Sequence, residues 1–279
     1  MKPIRRSGSA LLAAGVLVIG LAACGDDDGQ ADADTGTDAG TDGAAGSHAA
    51  GDTADTTAFC DAVIAIDAAG LGIESGESTP EDVEAAMQAA EDNAPDDIAD
   101  AVATAATEAR AVMAAEETAT PEGPPAIPGE AFYPAAVEIS SYVADHCDVQ
   151  TLDVTAKDYE FGGLDEQVPA GTTVINFSND GTEYHEMVLV KLAEGEERPL
   201  EELLALPDDE VNALITNKAF ALAPPGAGNY TTAELDAGRY VAICFVPVGS
   251  TPEALETGAA LDDADGHFMH GMVAEFEVA

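Results

Sequence analysis

The stretch that decides the fold runs from Gly238 to Pro247 and reads "GRYVAICFVP". Aromatic and β-branched residues recur in it, and a glycine and a proline bound it, so it predicts a β-strand. Alternation along a strand places Tyr240, Ala242 and Cys244 on one face. The residue types leave three roles open for Cys244: a buried small apolar residue, a reactive thiol or a metal ligand.

The same two-residue period continues on both sides of this strand, after Asp148 and to the end of the chain. The segments include "TLDVTAKDYEF", "TTVINFSN", "HEMVLVKL" and "MVAEFEV", and Gly, Pro and Asn-Asp turns separate them. Strands spaced in this way predict an all-β sandwich of two sheets over residues 149–279. One segment with helical character, "PLEELLALPDDEVNALI" from Pro199 to Ile215, interrupts them.

A helical period precedes the strands. Four amphipathic segments between Phe59 and Cys147 predict a mainly α, four-helix bundle over residues 56–148. Cys60 opens the first helix and Cys147 closes the last, and an up-and-down bundle brings those two positions to the same end. The sequence therefore predicts a Cys60–Cys147 disulfide, which would persist outside the cytoplasm.

The N-terminus carries export features. Lys2, Arg5 and Arg6 precede an apolar run from Ala10 to Ala23 that is too short to span a bilayer, so residues 1–23 are expected to be a signal peptide. The run ends in "LAAC", which resembles the lipobox of bacterial lipoproteins. That resemblance implies acylation of Cys24 and anchoring at the extracytoplasmic face of the cell membrane; an ordinary secretory signal with a chance cysteine is the alternative.

The segment after Cys24 is acidic and contains no apolar residue larger than alanine. Residues 24–55 are therefore expected to form a disordered linker. The whole chain has 9 Lys+Arg against 54 Asp+Glu, a net charge of −45, which excludes nucleic acid as a partner. This charge serves solubility or favours a basic partner protein, and we expect a monomer.

Three motifs, taken in order, resemble the cupredoxins, the blue-copper sandwich family of plastocyanin and azurin. "TTVINFSNDGTEYH" ends at His185, "GRYVAIC" ends at Cys244, and "HFMHGMVAEFEV" contains His267 and Met272. The resemblance implies a Greek-key sandwich that binds one type 1-like copper ion and transfers electrons. His185, Cys244 and His267 would be the equatorial ligands, with Met272 as the axial ligand.

One feature departs from that family pattern. Twenty-two residues, Phe245 to Gly266, separate Cys244 from His267, where the family has only a few. His270 is a substitute donor if His267 does not reach the site. Two other functions stay open: a metal-free sandwich lipoprotein that binds a partner, or a copper storage or delivery protein with Met187, Met269 and His270 as extra donors. The sequence contains no phosphate-binding loop, nucleophile elbow or dinucleotide motif, so an enzyme is not expected.

Overall fold

The computed structural model describes residues 48–117, 126–164, 167–257, 261 and 264–279. The predicted signal peptide, Cys24 and most of the predicted linker lie outside this part of the chain. In these described residues, four helices precede the first of nine strands. The helices are α1 His48–Ser75, α2 Pro80–Asp92, α3 Ala99–Glu116 and α4 Phe132–His146. The strands are β1 Gln150–Lys157, β2 Glu160–Gly162, β3 Gln167–Val168, β4 Gly171–Asn179, β5 His185–Leu192, β6 Ile215–Ala223, β7 Gly228–Leu235, β8 Gly238–Ile243 and β9 Val273–Val278.

The four N-terminal helices share an apolar core. Phe59 and Val63 of α1 pack with Val102 of α3 and with Ile139 and Val143 of α4, and all five are at most 5% exposed. The spacing of four residues between Phe59 and Val63, and between Ile139 and Val143, puts each pair on one face of its helix. Cys60 and Cys147 form the predicted disulfide, which links α1 to the residue after α4 across 87 positions of sequence.

The first helix starts earlier than the sequence predicted. It begins at His48, inside the range 24–55 assigned to the linker, so the linker boundary needs correction. Ala49, Ala50 and Ala54 are good helix formers, and an already nucleated helix extends at little cost. Within the described residues, only the stretch Thr56–Ile73 of α1 is long and apolar enough to cross a membrane. Phe59 and Val63 of this stretch are buried in the helical core.

The strands form two sheets with the orders β2-β1-β4-β7 and β3-β9-β8-β5-β6. β1 runs parallel to β4 and β3 parallel to β9, while the other neighbours are antiparallel. The core between the sheets contains Phe177, Leu189, Tyr240 and Phe276, each at most 2% exposed. The C-terminal half is therefore the predicted β-sandwich.

Helices cover the outer faces of both sheets. Val174 of β4 and Tyr230 of β7 belong to the core of the N-terminal helices, so these helices cover the first sheet. The predicted helical insertion consists of two short helices, α5 Leu200–Leu203 and α6 Asp208–Asn212, because Pro207 between them lacks a backbone N–H. Leu203 packs on Val190 and Val241 and so covers the second sheet. Two short elements complete the chain, α7 Pro252–Thr257 and a 3₁₀ turn at His267–His270.

Candidate metal centre

Three sequence-predicted ligands meet at one end of the second sheet. His185 begins β5, Cys244 directly follows β8, and these strands pair antiparallel with Val188 opposite Ile243. His267 opens the 3₁₀ turn. His267 Nδ1 lies 3.0 Å from His185 Nδ1 and 3.4 Å from Cys244 Sγ, and a potential donor atom of each residue lies within 4.8 Å of the other two. All three side chains are buried.

The long segment before His267 is closed at its base by backbone hydrogen bonds. Val248 N–H donates to the Asp265 carbonyl at 2.9 Å, and an isolated antiparallel bridge joins Pro247 to Gly266. His267 N–H then donates to the Val246 carbonyl, also at 2.9 Å. The insertion is therefore an excursion whose two ends are adjacent, and it returns His267 to the cysteine.

Met272 lies beside the other two C-terminal ligands through its backbone. It precedes β9 and is completely buried. Its N–H donates to the His267 carbonyl at 3.1 Å, and its carbonyl accepts from the Cys244 N–H at 3.2 Å. In contrast, His270 is exposed, lies outside the donor group and has its Nε2 3.6 Å from an Asp265 carboxylate oxygen. The substitute role considered for His270 is therefore not required.

The turn before His185 is built around Asn179. The Asn179 side chain donates to the carbonyls of Glu183 and Ala223, both at 2.8 Å, and accepts from the Gly181 N–H at 2.9 Å. A side-chain Cβ at Gly181 would lie 2.6 Å from His185 Nε2, which is closer than real Cβ contacts allow. The buried amide and the glycine together hold the turn and leave room for the imidazole.

Glu183 orients His267, and the sequence motifs did not single it out. Its carboxylate lies 3.0 Å from His267 Nε2, and accepts from Tyr159 OH at 3.0 Å and Gly249 N–H at 2.6 Å. Because a carboxylate only accepts, it selects the tautomer with the proton on Nε2. The His267 Nδ1 lone pair then points toward Cys244 and His185, which is the arrangement that a metal requires.

Glu186, the residue after His185, contacts the sulfur of Cys244. Its backbone N–H donates to Cys244 Sγ at 3.5 Å, and its buried carboxylate accepts from the Phe245 N–H at 2.9 Å. The two glutamates flank His185 in the sequence "TEYHE". Among so many acidic residues, only their position next to a predicted ligand could have drawn attention to them.

Burial dominates the electrostatics of the donor group. It lowers the pKa of His185 to about 4, with a further contribution from His267, and it lowers the pKa of His267 despite the nearby Glu183. Burial and then the Glu186 charge raise the pKa of the Cys244 thiol. Both imidazoles are therefore neutral near pH 7, as metal ligands must be, while the thiolate needs a cation to form.

The carboxylates differ in their charge. Burial raises the pKa of Glu186 to about 7, although the Phe245 N–H partly offsets it. Burial also acts against ionisation of Glu183, but the donors Gly249, His267 and Tyr159 outweigh it, so the pKa of Glu183 is lowered. Glu183 is therefore a fixed negative charge beside the donor group.

Tyr159 covers the imidazoles from a strained turn. Lys157 pairs with Glu160, so Asp158 and Tyr159 form a two-residue hairpin loop, with φ of 45° and 70°. Asp is common at the first position of such a type I′ loop, but the second position normally contains Gly, and left-handed backbone at a bulky residue such as Tyr159 costs about 1–2 kcal/mol. These are the only two residues other than glycine with positive φ in the described part of the chain. The turn holds the Tyr159 ring 4.6 Å from the His267 ring, centroid to centroid.

The donor set fits copper. Two neutral imidazole nitrogens and a cysteine sulfur, with a thioether residue next to them, are soft and intermediate ligands of the kind that copper accepts in both oxidation states. The donors come from three separate segments, and backbone hydrogen bonds join those segments. The chain thus supplies a compact, buried site in which no large rearrangement is needed to bring the donors together.

Solved structures with a similar fold match the C-terminal half. Reduced auracyanin from the photosynthetic bacterium Roseiflexus castenholzii is 23% identical, covers 47% of this chain and 97% of its own, and has a TM-score of 0.31. Auracyanin A from Chloroflexus aurantiacus, described as a "blue" copper protein, is 26% identical over 46% of this chain and 98% of its own, with a TM-score of 0.25. Rusticyanin from Thiobacillus ferrooxidans is 16% identical over 47% and 78%, with a TM-score of 0.27.

No protein-family model matches the chain, and no curated protein matches it. The two-sheet sandwich and the group formed by His185, Cys244 and His267 are what the three sequence motifs implied. The C-terminal half is therefore a cupredoxin-like sandwich with a candidate copper site at one end.

Proposed function

We propose that this protein binds one type 1-like copper ion in its sandwich and carries electrons outside the cytoplasm. The observation that carries this proposal is the buried group of two imidazoles and one thiol, with the His267 tautomer set by Glu183. His185, Cys244 and His267 would hold the ion, and Met272 would supply a fourth, thioether donor. Bound copper supplies a one-electron couple, and the chain supplies the donors and excludes water.

Burial of the ligands favours electron transfer over enzymatic chemistry. His185 is 1% exposed, and Cys244 and His267 are 0% exposed, so a substrate has no direct approach to the donor atoms. An electron can cross a packed layer of protein, whereas a substrate molecule cannot. We therefore assign the site to electron transfer and not to catalysis.

The rest of the chain fits an anchored carrier. An acylated Cys24 would hold the protein at the extracytoplasmic face of the cell membrane, in agreement with the Cys60–Cys147 disulfide. The four helices would form an up-and-down bundle that acts as a spacer or contact surface next to the Greek-key sandwich. The net charge of −45 suits a basic redox partner protein, and the carrier itself would be monomeric.

Copper titration of the purified protein tests the proposal. We expect Cu(II) to produce an intense visible absorption from thiolate-to-copper charge transfer, with one ion bound and a reversible redox couple. His267→Ala and Cys244→Ser should abolish this absorption. His270→Ala is the matched control, since it removes an exposed imidazole three residues from His267, and should leave the absorption intact.

Three results would contradict the proposal. No bound metal and no colour would indicate a metal-free sandwich that binds a partner. Cu(I) binding without a reversible couple would indicate storage or delivery. Colour that survives in the Cys244→Ser variant would place the ion elsewhere in the protein.

A further inference from the structure

Both imidazoles of the donor group are shielded from solvent, which raises the question of how an electron reaches the surface. His185 and His267 are at most 1% exposed, so neither ring can touch a partner protein directly. A side chain that contacts a ligand on one side and solvent on the other offers a short route for this transfer. Tyr159 meets both conditions because its partly exposed ring packs on the buried ligands.

The contacts of Tyr159 are extensive. Its ring centroid lies 4.6 Å from that of His267 and 6.4 Å from that of His185. A second connection runs through hydrogen bonds, since Tyr159 OH donates to Glu183, whose other carboxylate oxygen lies 3.0 Å from His267 Nε2. The ring and the hydroxyl thus reach the same imidazole by two routes.

The surface beside Tyr159 is open to a partner. A pocket of about 280 Å³ is lined there by Asp158, Tyr159, Thr182, Glu183 and His185. Asp158 and Glu160 are exposed on either side of Tyr159 in the hairpin. An acidic rim around an aromatic contact fits a cationic partner surface.

We propose that Tyr159 is the bridge through which electrons enter and leave the site, and that a basic one-electron redox protein docks on this hairpin. This inference rests on the proposed copper function. In one direction the reduced site loses one electron and the partner's oxidised centre gains it; the return step is the reverse. Tyr159 keeps its phenolic proton and is neither oxidised nor reduced, so no bond is made or broken.

The test compares Tyr159→Leu with Tyr159→Phe in the full copper-loaded chain. The rate is that of reduction of the oxidised site by hexaammineruthenium(II), a cationic one-electron reductant, measured by stopped flow. Leucine and phenylalanine tolerate the left-handed turn as poorly as tyrosine does, so the variants are matched in backbone strain. Val137→Ala is the surface control, because it shortens an exposed apolar side chain of α4 that lies outside the donor group.

We expect Tyr159→Leu to lose most of the rate while the visible absorption and the reduction potential stay close to those of the wild type. Tyr159→Phe should keep most of the rate, since its ring remains, and Val137→Ala should resemble the wild type. A purely structural role for Tyr159 would change the absorption or the potential together with the rate, and that outcome would overturn the inference.

A second readout does not depend on electron transfer. In the metal-free protein, the His267 ring protons should show a ring-current shift in the NMR spectrum that is lost in Tyr159→Leu and kept in Tyr159→Phe. A coloured wild type with an unchanged rate in Tyr159→Leu would overturn the bridge alone. A wild type without colour would overturn the copper function as well, even if the NMR contact were present.

Discussion

Removing the charge of Glu183 is the sharpest test of how the site is built. In Glu183→Gln the side chain keeps its size, but one carboxylate oxygen becomes an NH₂ group. The native carboxylate faces three neighbours: His267 Nε2, Tyr159 OH and Gly249 N–H. An amide has only one oxygen, so at least one of these donors must face another donor or turn away.

Two independent estimates of the effect agree. A hydrogen bond to a charged group contributes about 1.5–3 kcal/mol. Loss of a partner that orients a ligand typically lowers metal affinity about 10–100-fold, which corresponds to about 1.4–2.8 kcal/mol. We therefore expect copper affinity to fall by about 10–100-fold. Cu(II) should lose more than Cu(I), because the lost negative charge stabilises the higher cation more, so the reduction potential should rise.

Competition with chromophoric chelators for Cu(I) and Cu(II) measures both affinities, and circular dichroism checks that the variant is folded. Glu234→Gln is the control, since Glu234 is an exposed carboxylate of β7 that accepts a hydrogen bond from Thr172 outside the site. The pKa of Glu183 is lowered in the fold, so the effect should not change over neutral pH. Unchanged affinities and potential in a folded Glu183→Gln variant would refute the role assigned to this carboxylate.

Two further predictions concern the helical half. Replacing Cys60 and Cys147 by serine should destabilise the helical half by about 4–5 kcal/mol, because the disulfide closes a loop of 87 positions. Urea unfolding followed by circular dichroism measures this change. An unchanged unfolding midpoint would contradict the prediction. Asp67→Asn should flatten the pH dependence of stability. Burial raises the pKa of Asp67 from 3.8 to about 6. Its protonated form therefore stabilises the fold fully below about pH 4, and this stabilisation is lost as pH rises through 6. The free energy of unfolding should change by about 3 kcal/mol over this range. Thermal unfolding of the variant and the wild type between pH 4 and 7 measures this pH dependence. Parallel plots of stability against pH for the two proteins would contradict the prediction.

Local patterns predicted the framework of the site well. The alternation in "GRYVAIC" indicated that Tyr240, Ala242 and Cys244 share a face, and all three lie in the core between the sheets. The Asn-Asp-Gly turn likewise precedes His185 at the end of the second sheet where Cys244 lies. Such features depend on a few consecutive residues, so a single sequence is enough to reveal them.

Other features depend on distant pairings that leave no local trace. Glu183 and Tyr159 act together across 24 positions of sequence, and nothing in either residue type announces the contact. The early start of α1 at His48 depends on helix growth from an already packed core, and composition alone suggested a linker. The two-residue period of the strands likewise did not predict that β1 pairs with β4 in the first sheet.

The insertion between Cys244 and His267 illustrates why distance along the chain is a poor guide to the rigidity of a site. Extending a loop from about five residues to about twenty-two adds roughly 1.3 kcal/mol of closure entropy, because each doubling costs about 0.6 kcal/mol. Each backbone hydrogen bond at the base contributes about 0.5–1.5 kcal/mol net. Three connect the segments directly: Val248 to Asp265, His267 to Val246 and Phe268 to Cys244. Together they offset the longer loop, so the ligands can stay as close as if the connection were short.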